Sequence, residues 1–309
     1  MKRVAGGFVL GAFTDHHVHL QLVDHALLAQ SVLGRVVDLG GNPEILGQLA
    51  ASPPHNSGVF TQSSRAAAES SPIGEKAPEL YGQGAPDIAF AGAFLTPPGG
   101  YPSMRAWAPE GSFREIPDAD AAAGAVAEMK TAGASCIKIA SNATAGPVFS
   151  DQVVRTIIEI AAAHSLPVVA HAEGRGEAQR VALLGVDALA HAPFSERLTD
   201  DEIAAQAASV RWVSTLAIHA GPAYATTVDN VRRFHAAGGA VLYGTDMGNG
   251  PVPVDLSARE IDALREAGLD DDDLIRVLAP VSEGSLLFIP GDAPDPLLAR
   301  PLTPADQES

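Results

Sequence analysis

The stretch FTDHHVHL, residues 13–20, carries three histidines within four positions of an otherwise apolar run. Its β-branched and aromatic residues predict a β-strand. Side chains alternate between the two faces of a strand, so His17 and His19 point one way and His16 points the other. A His-x-His pair on one face can bind a metal, but hydrogen-bonded histidines at a polar strand end would give the same pattern. The rest of the chain has to separate these interpretations.

Outside this stretch, short apolar runs alternate with alanine-rich amphipathic segments. Further strands are predicted at 36–40, 87–95, 136–140, 168–174, 186–193, 210–219 and 238–246. Helical segments are predicted at 24–34, 118–135, 150–167, 175–184, 200–208 and 223–237, with a helical pair at 256–280. Repeated βα units require parallel strands, because each return needs a crossover. The pattern predicts an α/β fold, namely a (β/α)8 TIM barrel. A Rossmann fold is disfavoured, since no glycine-rich phosphate loop follows the first strand.

Two segments do not fit this repeat. Residues 52–86 are polar and rich in Ser, Pro and Gly, which predicts a long loop insertion. Residues 290–309 are rich in Pro and Asp and predict an extended C-terminal tail. We therefore expect one barrel domain over residues 1–289, followed by the tail.

Composition limits the partners that the protein can have. The formal net charge of −17 argues against nucleic acid and anionic membrane surfaces, because both attract basic proteins. No segment approaches the roughly 18 apolar residues of a membrane-spanning helix. The single cysteine, Cys136, rules out an intrachain disulfide, predicts a small buried hydrophobe and fits a reducing cytoplasm. These features predict a cytoplasmic protein whose partner is a small molecule.

Ionisable residues recur at the ends of the later predicted strands. Lys138 lies between two isoleucines in IKI, residues 137–139, so it faces the side opposite to them. A lysine inside a barrel is costly unless it is paired or neutralised. His171, His191 and Asp246 close the fifth, sixth and eighth strands. Barrel enzymes build their active sites at these carboxyl ends, and scattered core histidines would not keep this phase.

Four imidazoles and one carboxylate are ligands that suit zinc, or alternatively manganese, iron or cobalt. Such an ion lowers the pKa of a bound water from about 16 to near 7. A neighbouring carboxylate can then accept the proton of that water. The strand ends therefore predict a metal site that activates water.

Seven motifs occur in a characteristic order: TDHHVHL, VVDLGGNPE, AFLTPPGGYP, CIKIAS, VVAHAEG, GVDALAHAP and VLYGTDMG. Together they cover about residues 7 to 280. The combination resembles the amidohydrolase superfamily, and most closely its imidazolonepropionase-like and prolidase-like branch. Each motif alone is common, whereas the ordered set is specific.

The resemblance implies a binuclear centre of two divalent ions, with zinc as the first expectation. Its implied ligands are His17 and His19 for one ion, His171 and His191 for the other, an N-carboxylated Lys138 as the bridge, and Asp246 on the first ion. Asp246 would also act as the general base, and His191 is placed beside it in the catalytic group. A metal-activated hydroxide would attack the substrate carbonyl.

The implied reaction is hydrolysis of a C–N bond in an amide, an N-acyl amino acid, a dipeptide or a cyclic amide. One alternative keeps the metals but cleaves an ester or lactone. Another is a catalytically silent barrel that acts as a binding subunit, but such a protein is expected to lack one of the six ligands and none is missing. A one-metal enzyme is a further alternative, although one-metal relatives lack the bridging lysine and Lys138 is present here.

Two departures from the family bear on the substrate. Relatives usually build a flanking β-sandwich from both chain ends, and here few residues precede the His-x-His pair, so this subdomain is expected to be absent or vestigial. Its loss would leave barrel surface that a homo-oligomer could cover. Glu173 stands where close relatives often have a second histidine, and it either binds substrate or caps the next helix. The candidate substrate contacts are His219, Tyr101, Arg105, Glu173 and Tyr224, with a surface role as the alternative for Arg105.

Overall fold

A computed structural model describes residues 1–51, 85–282 and 284–306 of the protein. The predicted loop insertion at 52–86 therefore lies almost entirely outside the described residues. The described α-helices are α1 (Pro43–Ala51), α2 (Ala119–Ala132), α3 (Asp151–Ala163), α4 (Glu177–Leu184), α5 (Asp200–Ala207), α6 (Gly221–Ala236), α7 (Ala258–Glu266) and α8 (Asp271–Val277). The described strands are β1 (Lys2–Val4), β2 (Gly7–Gly11), β3 (Phe13–Val18), β4 (Leu33–Asp38), β5 (Asp87–Phe90), β6 (Phe94–Thr96), β7 (Phe113–Glu115), β8 (Ile137–Asn142), β9 (Val168–Glu173), β10 (Ala188–Leu189), β11 (Arg211–Val213), β12 (Val241–Leu242), β13 (Leu286–Pro290) and β14 (Arg300–Pro301).

The centre of the fold is a parallel sheet of 7 strands in the order β12-β11-β10-β9-β8-β6-β7. Every pairing in it is parallel, and helices α2 to α6 lie between its successive strands in the chain. A second parallel sheet has the order β3-β4-β5 and contains the His-x-His stretch. The prediction of a parallel α/β fold is confirmed.

The two parallel sheets meet beside β3. The backbone N–H of His16 donates to the carbonyl of Tyr243 at 2.9 Å, and the N–H of His19 donates to the carbonyl of Met247 at 2.7 Å. Val18 also forms a parallel bridge with Met247. The assigned strand pairing nevertheless gives two parallel sheets rather than a single closed one. It places the carboxyl ends of β3 and β12 next to each other.

Local sequence signals account for the helix boundaries. The hydroxyl of Ser150 accepts from the N–H of Val153 and caps α3. Asp118 caps α2 in the same way, and Gly133 ends that helix at φ 93°, a conformation that glycine adopts without a Cβ penalty. Among the described residues, no helix is both long and apolar enough to cross a bilayer.

Both chain ends join in a small antiparallel sheet of order β1-β2-β13-β14. Leu287 and Ile289 of β13 are fully buried, so this sheet closes one side of the core. This short sheet occupies the place where the sequence predicts an absent or vestigial sandwich. The predicted tail begins inside β13 and contains β14 and two 3-10 turns, at 296–298 and 304–306, so it is not extended throughout. The division into a barrel and a tail stays a prediction.

The structure differs from the sequence-based boundaries in several places. Helix α1 and strands β13 and β14 were not predicted, and the strand predicted at 87–95 is divided into β5 and β6, which belong to different sheets. The helical segment predicted at 24–34 contains a 3-10 helix at His25–Gln30, and β4 begins already at Leu33. Strand β7 was not predicted, because its three residues FRE carry no apolar alternation.

Candidate metal centre

A cavity of about 760 Å³ opens at the carboxyl ends of the parallel strands. All six metal ligands that the resemblance implies line it: His17, His19, Lys138, His171, His191 and Asp246. These residues are at most 9% exposed. Side chains separated by more than two hundred residues of sequence therefore share one site.

The tightest group in the cavity consists of His17, His19 and Asp246. The Asp246 Oδ1 lies 3.3 Å from the Nε2 of His17 and 3.1 Å from the Nε2 of His19. One ligand atom from each of the three lies within 4.8 Å of the others. A buried cluster of two imidazoles and one carboxylate is a donor set that suits a divalent transition metal.

Hydrogen bonds to the backbone select the imidazole nitrogen that faces the cavity. The Nδ1 of His17 lies 2.8 Å from the carbonyl of Ala190, and the Nδ1 of His19 lies 3.0 Å from the carbonyl of Gly40. A carbonyl oxygen only accepts, so each Nδ1 carries the proton. Each Nε2 thereby faces Asp246. It can bind a metal ion through its lone pair in the neutral ring, or donate to the carboxylate in the protonated ring.

The electrostatics of this cluster keep Asp246 ionised. Burial alone would raise the pKa of Asp246, but the neighbouring His17 and His19 hold it well below its ordinary value. Burial also lowers the pKa of His17, with the Lys138 charge acting in the same direction. Burial would likewise lower the pKa of His19, but the hydrogen bond with Asp246 raises it instead. An ionised carboxylate in a buried site can bind a cation or accept a proton.

Asp246 is held by its backbone and by a neighbour that the sequence did not reveal. Its φ of 54° lies in the left-handed region, which costs energy for a residue other than glycine. The Nδ2 of Asn249 donates to the Asp246 Oδ2 at 2.8 Å. Both features orient the carboxylate so that Oδ1 faces the histidines.

His171 and His191 form a second, looser group beside the first. The His191 ring centre lies 4.7 Å from that of His17 and 5.0 Å from that of His171. The Nδ1 of His191 lies 2.9 Å from the Thr215 hydroxyl, so its Nε2 is left for a ligand. The Nε2 of His171 lies 3.2 Å from a carboxylate oxygen of Glu173, so its Nδ1 is left instead.

Lys138 is the most unusual group in the cavity. It is 1% exposed, and burial lowers the pKa of its amine to about 7. Within the described ranges, no carboxylate lies within 4 Å of this amine, and the nearest aromatic ring, that of Phe94, is centred 5.8 Å away. A buried amine without an ion pair and with a lowered pKa is typical of a functional lysine.

No protein-family model matches the sequence, and no curated protein matches it. Solved structures do match. One is a Xaa-Pro dipeptidase with methionine bound in its active site, with a TM-score of 0.65, 17% identity, and coverage of 93% of this chain and 82% of that chain. A putative prolidase from Bifidobacterium longum has a TM-score of 0.65 and 20% identity over 96% of this chain and 79% of that chain. A dihydroorotase has a TM-score of 0.59 and 14% identity over 97% of this chain and 91% of that chain.

The chain shares the fold of these solved structures, among them one described as an amidohydrolase. The resemblance inferred from the seven motifs is therefore confirmed at the level of the fold. Identities of 14% to 20% leave the activity to be argued from the residues of this chain.

Three of the five predicted substrate contacts line the cavity: Tyr101, Glu173 and His219. Arg105 and Tyr224 do not line it. The Arg105 guanidinium lies over the outer Tyr101 ring at 5.8 Å, and the Tyr224 hydroxyl donates to Glu266 at 2.7 Å. Substrate contact by these two residues stays a prediction.

The alternative helix-capping role of Glu173 is wrong. Helix α4 begins at Glu177 with Gly176 as its N-cap and no side-chain capping bond. The carboxylate of Glu173 instead accepts from the Nδ2 of Asn142 at 2.6 Å and from the hydroxyl of Thr144 at 3.0 Å. These hydrogen bonds help to hold its pKa below the ordinary value, after the larger effect of His171.

Sequence analysis missed two buried carboxylates that support the candidate metal ligands. Asp15 accepts from the N–H of His17 at 2.9 Å and from the hydroxyl of Thr245 at 2.6 Å, which ties β3 to the segment before Asp246. Asp38 accepts from the N–H of Leu20 and of Gly40 at 2.7 and 2.9 Å. Strand alternation could have revealed Asp15, because it shares the face of His17 and His19.

A third buried carboxylate, that of Glu260, supports the cavity wall. It is fully buried at the start of α7 and accepts from the N–H groups of Leu216 and Ala217 at 2.9 and 2.7 Å. Thr215, whose hydroxyl contacts His191, precedes this turn at a left-handed φ of 46°. Glu260 therefore fixes a turn that connects β11 to the metal-centre residues.

Replacement of Glu260 by glutamine should flatten the pH dependence of stability. Burial raises the pKa of Glu260 from 4.5 to about 7 in the folded protein. The folded state therefore binds the proton more tightly than the unfolded state, so this contribution to stability is full below pH 4.5 and is lost as pH rises through about 7. The loss amounts to about 3 kcal/mol at most. Urea unfolding between pH 4.5 and 8 measures it.

The matched control for this prediction is Glu44→Gln, an exposed substitution in the first turn of α1. It should keep the wild-type slope of unfolding free energy against pH. Parallel curves for the wild type and Glu260→Gln would contradict the assignment.

Proposed function

We propose that the protein is a metal-dependent hydrolase that cleaves a C–N bond in a small molecule. The observation that supports this most directly is the convergence of the six predicted ligands on one cavity, with His17, His19 and Asp246 as its tightest group. The substrate classes are amides, N-acyl amino acids, dipeptides and cyclic amides. The matched relatives include a dipeptidase and a dihydroorotase, and we extend their class of reaction to this chain.

We propose two divalent ions in the cavity, with zinc as the first choice. The fit rests on the donors: three histidines have their Nδ1 engaged by protein oxygens, which leaves their Nε2 atoms as the available ligand atoms beside the ionised Asp246. Lys138, whose amine has a lowered pKa, would react with carbon dioxide to give a carbamate and release a proton. Bound ions would polarise the substrate carbonyl and lower the pKa of a coordinated water.

The protein itself would supply orientation and proton transfer. Asp246 stays ionised and can accept a proton from water and return it to the leaving nitrogen. Asn249 holds the other carboxylate oxygen, so Asp246 has a single orientation. The rings of Phe94, Tyr101 and Phe194 cover the cavity wall and exclude bulk water from the reacting atoms.

We also propose that the two parallel sheets close into a (β/α)8 barrel. Support comes from the hydrogen bonds of His16 and His19 to the chain around β12, and from the three residues that separate β5 from β6. Closure would place β5 and β6 as two halves of the third barrel strand. The six ligands would then surround one mouth of the barrel.

The test is metal analysis and hydrolysis by protein purified without chelator. We expect about two divalent ions per chain, hydrolysis within a panel of N-acyl amino acids, dipeptides and cyclic imides, and loss of activity on chelation. A reproducible metal content near zero would exclude the hydrolase. Hydrolysis confined to esters and lactones would replace the C–N assignment.

The matched variants for this test are His17→Asn and His16→Asn. The side-chain amide nitrogen of asparagine can replace the Nδ1 donor of either histidine. In His17 this donor contacts the carbonyl of Ala190, and in His16 it contacts the carbonyl of Tyr243 at 3.0 Å. Only His17 loses a ligand atom, because the His16 ring faces away from the cavity. We expect His17→Asn to lose metal and activity and His16→Asn to keep both. Equal losses would mean that the substitutions act through folding.

A further inference from the structure

We propose that Arg259 and His219 form a subsite that binds a carboxylate of the substrate. The inference rests on the proposed hydrolase function and narrows its substrates to amides that carry a carboxylate beside the scissile bond. N-acyl amino acids are the class that fits best. Neutral amides and cyclic imides would be poor substrates.

Arg259 is a cation on the cavity wall that lacks an anionic partner. It lies in the first turn of α7 and lines the cavity. Over the described part of the chain, no carboxylate lies within 4 Å of its guanidinium, whose Nη2 makes one long hydrogen bond of 3.3 Å to the carbonyl of Ala217. The other cavity-lining cation is Lys138, which the proposed metal centre uses. Arg259 is therefore the cation left for a substrate anion, and guanidinium binds carboxylate in two parallel hydrogen bonds.

His219 contributes a polar atom without a partner in the same wall. Its Nε2 is buried and makes no hydrogen bond with any residue that the structure describes, although the ring is held against Phe194 with centres 4.2 Å apart. Burial lowers the pKa of His219 to about 4, so the ring is neutral and one nitrogen carries a proton. An unpaired buried polar atom is costly, and a carboxylate oxygen would satisfy it.

One short segment holds both groups in place. The 3-10 turn at Leu216–Ile218 ends at His219, and the carbonyl of Ala217 within it accepts from Arg259. Glu260, the neighbour of Arg259, accepts from two N–H groups of the same turn. The Arg259 contact and the His219 residue therefore belong to one turn that Glu260 braces.

The negative groups of the cavity favour a blocked amino terminus. Besides Asp246, the carboxylate that lines the cavity is that of Glu173, and its oxygens already accept from Asn142 and Thr144 and contact His171. A substrate ammonium would thus meet no unpaired carboxylate among the described lining residues. A substrate carboxylate, by contrast, meets Arg259. An N-acyl amino acid carries the carboxylate and lacks the ammonium.

The experiment compares amides that differ only in the carboxylate. The probes are N-acetyl-L-leucine with N-(3-methylbutyl)acetamide, and N-acetyl-L-phenylalanine with N-(2-phenylethyl)acetamide, acted on by the metal-loaded full chain. We expect kcat/KM to favour each acid. Arg259→Gln should lower kcat/KM for the acids at least tenfold, mostly through KM, and so narrow the difference in kcat/KM between each acid and its neutral amide. His219→Phe, which keeps a ring against Phe194, should lower kcat/KM for the acids about threefold or more.

The control is Arg155→Gln, an exposed substitution on α3 that leaves the preference for acids unchanged. Arg105→Gln tests the alternative site, since the sequence alone names Arg105 as a candidate contact for the substrate carboxylate. Equal rates on acids and neutral amides, a preference that Arg259→Gln does not alter, or a preference that only Arg105→Gln removes would each overturn the subsite while the hydrolase function stands.

If no amide is hydrolysed, the proposed function fails and the subsite is judged by binding. Calorimetry of N-acetyl-L-leucine on the same metal-loaded protein is then decisive. Binding that weakens at least tenfold in Arg259→Gln supports the subsite, and binding that is absent or unchanged overturns it.

Discussion

Asp246→Asn should lower hydrolysis by roughly 10²- to 10⁴-fold and weaken metal binding, while the protein stays folded. Asparagine has the same shape and tolerates the left-handed φ of 54° that this position requires. The substitution removes the negative charge that lies 3.1 and 3.3 Å from the two histidine Nε2 atoms. It also replaces the proton acceptor by an amide, which cannot accept a proton from water.

Three measurements separate the consequences of this change. Metal content after dialysis reports the ligand role, kcat on metal-saturated protein reports the proton-transfer role, and urea unfolding of chelated protein reports the fold. Asp87→Asn, in an exposed ion pair with Arg35, is the matched control and should change none of them. Activity within tenfold of wild type in metal-saturated Asp246→Asn would remove Asp246 as the base.

Lys138→Met should abolish binding of the second ion and stabilise the metal-free protein. Methionine fills a similar volume without an amine, so it cannot form the carbamate that would bridge two ions. The stabilisation follows from burial, which lowers the pKa of the amine from 10.5 to about 7 in the folded protein. The wild-type contribution is full above pH 10.5 and is lost as pH falls through about 7, because the folded state binds the proton less tightly.

At pH 7 the metal-free Lys138→Met protein should therefore exceed the wild type in unfolding free energy by a few kcal/mol, to order of magnitude. This result would also show that the loss of metal in Lys138→Met is not caused by unfolding. The control is Lys130→Met near the exposed end of α2, which should alter neither property.

The carbamate itself has a separate test. Removal of bicarbonate during metal loading should lower the occupancy of the second ion in the wild type, and restored bicarbonate should recover that occupancy. Lys138→Met should bind the first ion regardless of bicarbonate. Two ions retained by Lys138→Met would show that this lysine is not the bridge.

The strand patterns in the sequence predicted which residues line the site, but not the hydrogen bonds that hold those residues in place. The alternation that separates His17 and His19 from His16, and Lys138 from its isoleucines, operates over two residues, and the structure places all three inward residues on the cavity. Asp15 obeys the same alternation and was overlooked. Its carboxylate accepts a hydrogen bond from Thr245, 230 positions away, and no local sequence pattern predicts that partner.

The choice of imidazole nitrogen shows the limit most clearly. His17 is held by a carbonyl 173 positions away, whereas His171 is held by Glu173 only two positions away. These contacts decide which nitrogen faces the cavity, and the one that holds His17 requires segments from different βα units to be folded together. Arg259 likewise carries no motif, and its place in the cavity wall follows from the packing of α7 against the turn after β11.

The amino-acid sequence by itself determined the order of the parallel βα units, the inward face of each strand and the set of residues at the strand ends. These depend on side-chain alternation and helix-capping chemistry, which act between near neighbours. Only the tertiary structure decided how Asp246 approaches two histidines, which carboxylates brace them, and that an unpaired arginine shares the cavity. Those outcomes depend on distances between segments far apart in the chain, which packing sets and local pattern does not encode.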